Sequence, residues 1–225
     1  MSGPPTSADT GRGRFITLEG GEGTGKSTQQ GRLAAWLRDQ GLTVVETREP
    51  GGSPGAEQIR DLLVTGEAGR WDAMTETLLH FAARRDHFVR TIQPALAAGT
   101  WVVSDRFADS TLAYQGFGHG LGRAPVEALY RLVLDDFTPD LTLILDLPAQ
   151  AGLDRARQRI GDSGAAEDRY ESMDESFHER LYEGFRDIAR REPGRCRLID
   201  ASGSEDAVAA AIRNAVADRF QDLSP

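Results

Sequence analysis

The chain has 225 residues, 35 acidic against 26 basic side chains and a net charge of −9, with a pI near 5.0. That balance argues against a duplex nucleic-acid binder, which needs a basic surface, and no stretch reaches the length of a membrane span. The length suits one large α/β domain, and the lone Cys196 rules out an internal disulfide and suits a reducing compartment such as the cytoplasm.

Residues 1–13, MSGPPTSADTGRG, are polar and lack an apolar signal core. They are expected to form a disordered tail, leaving 14–225 as a single domain. Short apolar runs then alternate with helical patterns, which predicts a parallel sheet flanked by helices. Strands are expected at Phe15 to Glu19, Thr43 to Thr47, Trp101 to Ser104, Leu141 to Leu147 and Arg197 to Asp200. A helix is expected from Ser27 to Gln40, with Leu33, Trp36 and Leu37 on one face and Gly41 as its stop. Further helices are expected near 56–64, 72–98, 125–136, 149–160, 174–190 and 204–220. The run from Gly161 to Ala166 breaks the pattern with the composition of a mobile loop.

Between the first strand and the first helix lies Gly20-Gly21-Glu22-Gly23-Thr24-Gly25-Lys26-Ser27, followed by Thr28. The spacing G-x-x-x-x-G-K-[ST] belongs to a phosphate-binding loop. Its glycines let backbone N–H groups curl around phosphate oxygens, and the helix N-terminus adds its positive end. Lys26 would reach the β- and γ-phosphates and Ser27 would ligate Mg²⁺. This predicts an ATP-type site on a P-loop NTPase fold, without naming the acceptor.

Arginines mark the acceptor. Arg48 follows the second strand, Arg106 follows the third, and Arg84 lies on the long helix between them. Ligands of open α/β sheets bind at the carboxyl ends of strands, so three forked donors there would suit a second phosphate.

The loop Arg48-Glu49-Pro50-Gly51-Gly52, the motif Asp105-Arg106-Phe107, the run from Ser110 to Gly116 and the run from Phe137 to Asp146 together resemble bacterial thymidylate kinases, from about Arg14 to near the C-terminus. The resemblance implies ATP-dependent phosphorylation of thymidine monophosphate to the diphosphate, with Mg²⁺, in a homodimer. The helices around 72–98 and 125–136 are candidates for the dimer face. It implies that Glu22 faces the acceptor sugar 3′-hydroxyl. It also implies that Arg48, Arg84 and Arg106 hold the acceptor phosphate or base. Asp105 would bind Mg²⁺ or its waters, or position the acceptor phosphate. Thr111, Tyr114 and Gln115 would surround the thymine and sugar. The family usually has Phe four residues before the helix arginine; here His80 stands there, on the same face as Arg84, and is expected to stack on the base.

Some family members carry a clamping arginine in the phosphate loop, where this chain has Gly23. Others supply it from a lid. The run Arg155-Ala156-Arg157-Gln158-Arg159 and Asp168-Arg169-Tyr170-Glu171 resemble the lid type, with a lid at about 155–171. Arg159 is expected to stabilise charge on the transferring phosphoryl group, assisted by Arg155 and Arg169. A kinase of another nucleotide, or an ATP-dependent switch, would keep the phosphate loop; a switch would have no use for the second arginine set.

Overall fold

The computed structural model describes residues 11–66, 69–163 and 173–221 together with Tyr170 and Leu223, with side chains described except at 159–163. Five strands form one parallel sheet in the order β2-β3-β1-β4-β5: β1 (Phe15–Glu19), β2 (Val44–Arg48), β3 (Trp101–Asp105), β4 (Leu141–Asp146) and β5 (Cys196–Asp200). β1 is central and buried at every position, as a parallel strand covered on both faces should be. β2 lies at the sheet edge, with a mixed burial pattern.

Helices cover both faces. On one side α1 (Lys26–Asp39) and α9 (Glu205–Arg219) pack Leu33, Leu37, Val208, Ile212 and Val216 against Ile16, Leu18 and Leu143, with Trp36 half-buried at the margin. The opposite face is covered by α3 (Ala73–His87), α6 (Arg123–Leu134) and α8 (Glu175–Arg191), through Phe81, Val126, Phe177, Leu181 and Phe185. The remaining helices are α2 (Pro54–Val64), α4 (Gln93–Ala97), α5 (Ala108–Thr111) and α7 (Ala149–Ser163).

The helix expected over 72–98 is divided. After α3 a wide turn of π-type spans Phe88–Ile92, where the Gln93 N–H reaches back to the Phe88 carbonyl, before α4 begins. Pro94 supplies the reason: it has no N–H, and its ring disfavours a regular turn with the carbonyl four residues back. A second π-type segment, Leu112–Gly118, continues α5, and the spacing of apolar residues predicted neither. The break expected at Gly161 begins later, because α7 runs through Ser163; the rest of that loop and most of the tail lie outside the described residues.

The strand order places a topological switch beside β1, because β3 lies on one side of it and β4 on the other. Leu18 pairs with Asp105 and Glu19 with Ile144. The chain therefore leaves β1, β3 and β4 at the same edge, where a crevice forms.

Candidate active site

Three glycines of the phosphate loop take positive φ: Gly20 at 135°, Gly23 at 66° and Gly25 at 87°. Gly25 precedes α1, and no side chain caps that helix; its first-turn amides remain open toward an anion. Gly23 has a further reason to lack a side chain. A Cβ there would lie 2.0 Å from the Gly152 carbonyl oxygen on α7, and a Cβ on Gly152 would lie 2.5 Å from the Glu22 carbonyl oxygen. The loop and α7 thus touch backbone to backbone.

Lys26 is 8 % exposed and donates from Nζ to the Gly21 carbonyl at 2.7 Å, folded over the loop. Burial, then the nearby Arg106, lowers its pKa to about 8, against the pull of Glu22, Asp105 and Glu19. A bound polyphosphate favours the charged form. ATP affinity is therefore expected to fall as pH rises above about 8, with proton uptake on binding in that range. Titration calorimetry in two buffers of different ionisation heat checks this; no uptake at pH 9 would show that Lys26 is already charged without nucleotide.

Ser27 Oγ donates to Asp105 Oδ2 at 2.6 Å, and Asp105 Oδ1 is buried without a partner among the described residues. A hydroxyl beside a carboxylate with a spare buried oxygen fits a small hard cation that takes most of its ligands from phosphate and water. No cluster of three or more metal-ligating side chains occurs among the described residues, as such a shared site requires none. Thr28 is exposed on the first turn of α1, and Thr24 donates to the Gly21 carbonyl at 3.0 Å.

Across the crevice lies a cleft of about 680 Å³ of empty space, including its open mouth. Glu22, Arg84, Arg106, Thr111, Tyr114, Gln115 and His80 all line it. Arg106 holds φ at 69°, a conformation that costs a non-glycine residue about 1–2 kcal/mol. That backbone turn aims its guanidinium at the Gly20 carbonyl (3.0 Å), Ser110 Oγ (3.1 Å) and Glu22 Oε1 (3.1 Å), with Tyr114 under it at 5.0 Å. Glu22 also accepts from the Tyr114 hydroxyl. Burial alone would raise the Glu22 carboxyl, but Arg106, then Lys26 and the Tyr114 hydroxyl, hold it down at about 2. Glu22 is therefore an anion at any working pH.

Arg84 is 2 % exposed. Its Nε pairs with Glu49 at 2.7 Å, and its Nη2 donates to the Phe107 carbonyl and Thr111 Oγ1. Its Nη1 is buried and has no partner among the described residues. Arg48 is not brought to this cleft; more than half exposed, it pairs with Glu57 at 3.2 Å. Arg155 is engaged elsewhere as well, donating to the Ala201 and Ser202 carbonyls of the loop after β5. Arg159 belongs to α7, about two turns beyond Gly152, but its side chain and all of Arg169 lie outside the described residues.

Other residues of the site, including Glu49 and Tyr170 inside the quoted motifs, have no role assigned from the sequence. Glu49 joins Arg84 to His87, whose Nδ1 is 3.0 Å away. Arg60 lines the cleft and donates to the Pro50 carbonyl. Glu19 is fully buried behind the loop and accepts from the Phe107 N–H and Ser110 Oγ, with burial and Asp109 raising its pKa to about 8. It anchors the turn that presents Arg106. Tyr170 reaches the cleft from the far side and bonds Glu76 on α3. These roles depend on partners far apart in sequence.

The family model described as Thymidylate kinase matches residues 18–212. The thymidylate kinase of Caulobacter vibrioides is 57 % identical over 209 residues, covering 93 % of this chain and 98 % of that one. The thymidylate kinase of Rhizorhabdus wittichii is 54 % identical over 207 residues, covering 92 % and 98 %. Among solved structures, the crystal structure of thymidylate kinase from Ehrlichia chaffeensis superposes with a TM-score of 0.72 at 35 % identity, over 91 % of this chain and 99 % of that one. With the phosphate loop at one wall of the crevice and the buried Arg84 and half-buried Arg106 at the other, the chain belongs to the thymidylate kinase family.

Proposed function

We propose that this crevice transfers the γ-phosphoryl group of ATP to the phosphate of thymidine monophosphate, giving the diphosphate. The observation that carries the reading is the buried Arg84, whose Nη1 lacks a partner among the described residues in a cleft that also holds Arg106. A buried guanidinium with an unused N–H costs stability unless a ligand oxygen completes it. The phosphate loop and Lys26 hold the donor phosphates. Arg84 and Arg106 hold the acceptor phosphate in line with them. Glu22, kept ionised, accepts from the acceptor sugar hydroxyl. Ser27 and Asp105 would hold Mg²⁺, which when bound neutralises phosphate charge.

Arg159 is proposed to stabilise the transferring group from α7, because Gly23 leaves the phosphate loop without an arginine of its own. Arg159→Ala is expected to lower kcat far more than ATP affinity; equal losses would reduce it to a binding residue. His80 lines the cleft as the proposed platform for the base. Identical KM values for thymidylate in His80→Phe and His80→Ala would remove that role.

The proposed assembly is a homodimer through α3 and α6, where Leu78, Val89 just after α3, and Leu132 stand 50 %, 41 % and 78 % exposed. A monomer in sedimentation equilibrium at micromolar concentration would refute it. No described helix is long and apolar enough to cross a membrane. The proposed setting is the cytoplasm, where both nucleotides are found.

The deciding experiment is a coupled ADP-release assay with ATP and Mg²⁺ and a panel of acceptors: thymidylate, deoxyuridylate, cytidylate, adenylate, guanylate and thymidine. Strong preference for thymidylate is expected. Preference for a purine nucleotide would keep the phosphoryl chemistry and overturn the acceptor.

A further inference from the structure

Glu76 lies on α3 one turn before His80 and is 1 % exposed. It does not line the cleft, whereas Gln115, Tyr170 and His80 do. Its Oε1 accepts from the Gln115 amide nitrogen at 2.8 Å and from the Tyr170 hydroxyl at 2.6 Å, and His119 Nε2 stands 3.7 Å from the same oxygen.

A carboxylate only accepts hydrogen bonds, while a glutamine amide has one donating and one accepting end. Glu76 therefore decides which way the Gln115 amide faces: the NH₂ group turns toward the carboxylate. A second contact agrees. Gln115 Nε2 is 3.3 Å from the Tyr170 oxygen, which gives its own proton to Glu76 and so accepts here. His80 Nε2, 3.4 Å from that oxygen, completes the chain as a donor. The carbonyl Oε1 of Gln115 is what remains, buried and without a partner among the described residues. Leaving such an acceptor unpaired costs stability, which a ligand donor recovers.

We propose that Glu76 is a positioning residue for acceptor specificity. By locking the Gln115 amide with its carbonyl free, it makes Gln115 a hydrogen-bond acceptor for the ring N3–H of a thymine-type base. Cytosine presents an acceptor at that position and is refused. The proposal rests on the thymidylate reading of the cleft and adds what sets the polarity of the base pocket. Glu76 itself touches no substrate.

The test is the ratio of kcat/KM for thymidylate to that for deoxycytidylate. In Glu76→Gln the partner of Gln115 has both a donor and an acceptor, so the Gln115 amide is free to invert. The ratio is expected to fall about 10- to 100-fold, through lost thymidylate and gained deoxycytidylate use, with KM for ATP unchanged. Gln115→Met is expected to lower the ratio as well, and adding Glu76→Gln to it should change the ratio no further. Three results would overturn the proposal: equal losses on both acceptors in Glu76→Gln, full additivity in the double variant, or Gln115→Met retaining the wild-type preference. The last is decisive even if Glu76→Gln does not fold. A wild-type enzyme with no preference for thymidylate would instead overturn the substrate reading beneath it.

Discussion

Replacing Arg106 by Ala is expected to lower kcat/KM for thymidylate by about 10²–10³-fold, the loss typical of one aimed donor in a site that excludes water. Arg106 is the charge that holds Glu22 down, together with Lys26, so its removal leaves a partly buried carboxylate with its main counter-ion gone. It also ties the Gly20 carbonyl to Ser110, so the acceptor wall loses its link to the phosphate loop. Finally, the turn at φ 69° exists to aim this guanidinium, and Ala would keep the backbone cost without the contact. Arg106→Lys should rescue little, because a single ammonium cannot reach three acceptors in a fork. Steady-state kinetics with each substrate varied will show the loss mainly in the thymidylate parameters and in kcat. A change of less than threefold in both would mean that Arg84 alone holds the acceptor.

Gly23→Ala is expected to be the most damaging small substitution in the phosphate loop. The added Cβ would sit 2.0 Å from the Gly152 carbonyl oxygen, and φ of 66° is itself unfavourable for alanine. Overpacking and backbone strain together should cost about 3 kcal/mol or more, which for a chain of this size corresponds to a fall in Tm of about 6–12 °C. If the protein relieves the overlap by moving α7 away, kcat should fall as well, because α7 carries Arg159. An unchanged melting temperature with full activity would show that the loop and α7 are not held in contact in solution. The same overlap explains in physical terms why this chain has no arginine in the loop: the position is filled by the backbone of α7.

Much of the fold was legible because its signals are local. The five strands are short apolar runs bounded by turn residues, and their predicted and observed limits differ by a residue or so. The helix after the phosphate loop announces itself by Leu33 and Leu37 four apart and by Gly41. The two π-type segments were not legible, since a hydrophobic repeat does not reveal one extra residue in a turn. Even Pro94, the cause of one of them, reads in sequence as ordinary helix punctuation.

The same division runs through the site. The amino-acid sequence by itself determined the phosphate loop, the identity of its Lys26 and Ser27, and the placing of Arg106 at a strand end, because each depends on residues adjacent in the chain. Only the tertiary structure decided what those groups face. It turned Arg48 toward Glu57 and Arg155 toward the loop after β5, and it buried Arg84 against Glu49. It brought Glu76, Gln115 and Tyr170 together from positions up to 94 residues apart. A hydrogen bond fixes an amide or aims a guanidinium only when donor and acceptor lie within about 3 Å. Spacing along the chain sets which residues share a helix face or a strand end, but such distances arise only when separate elements pack.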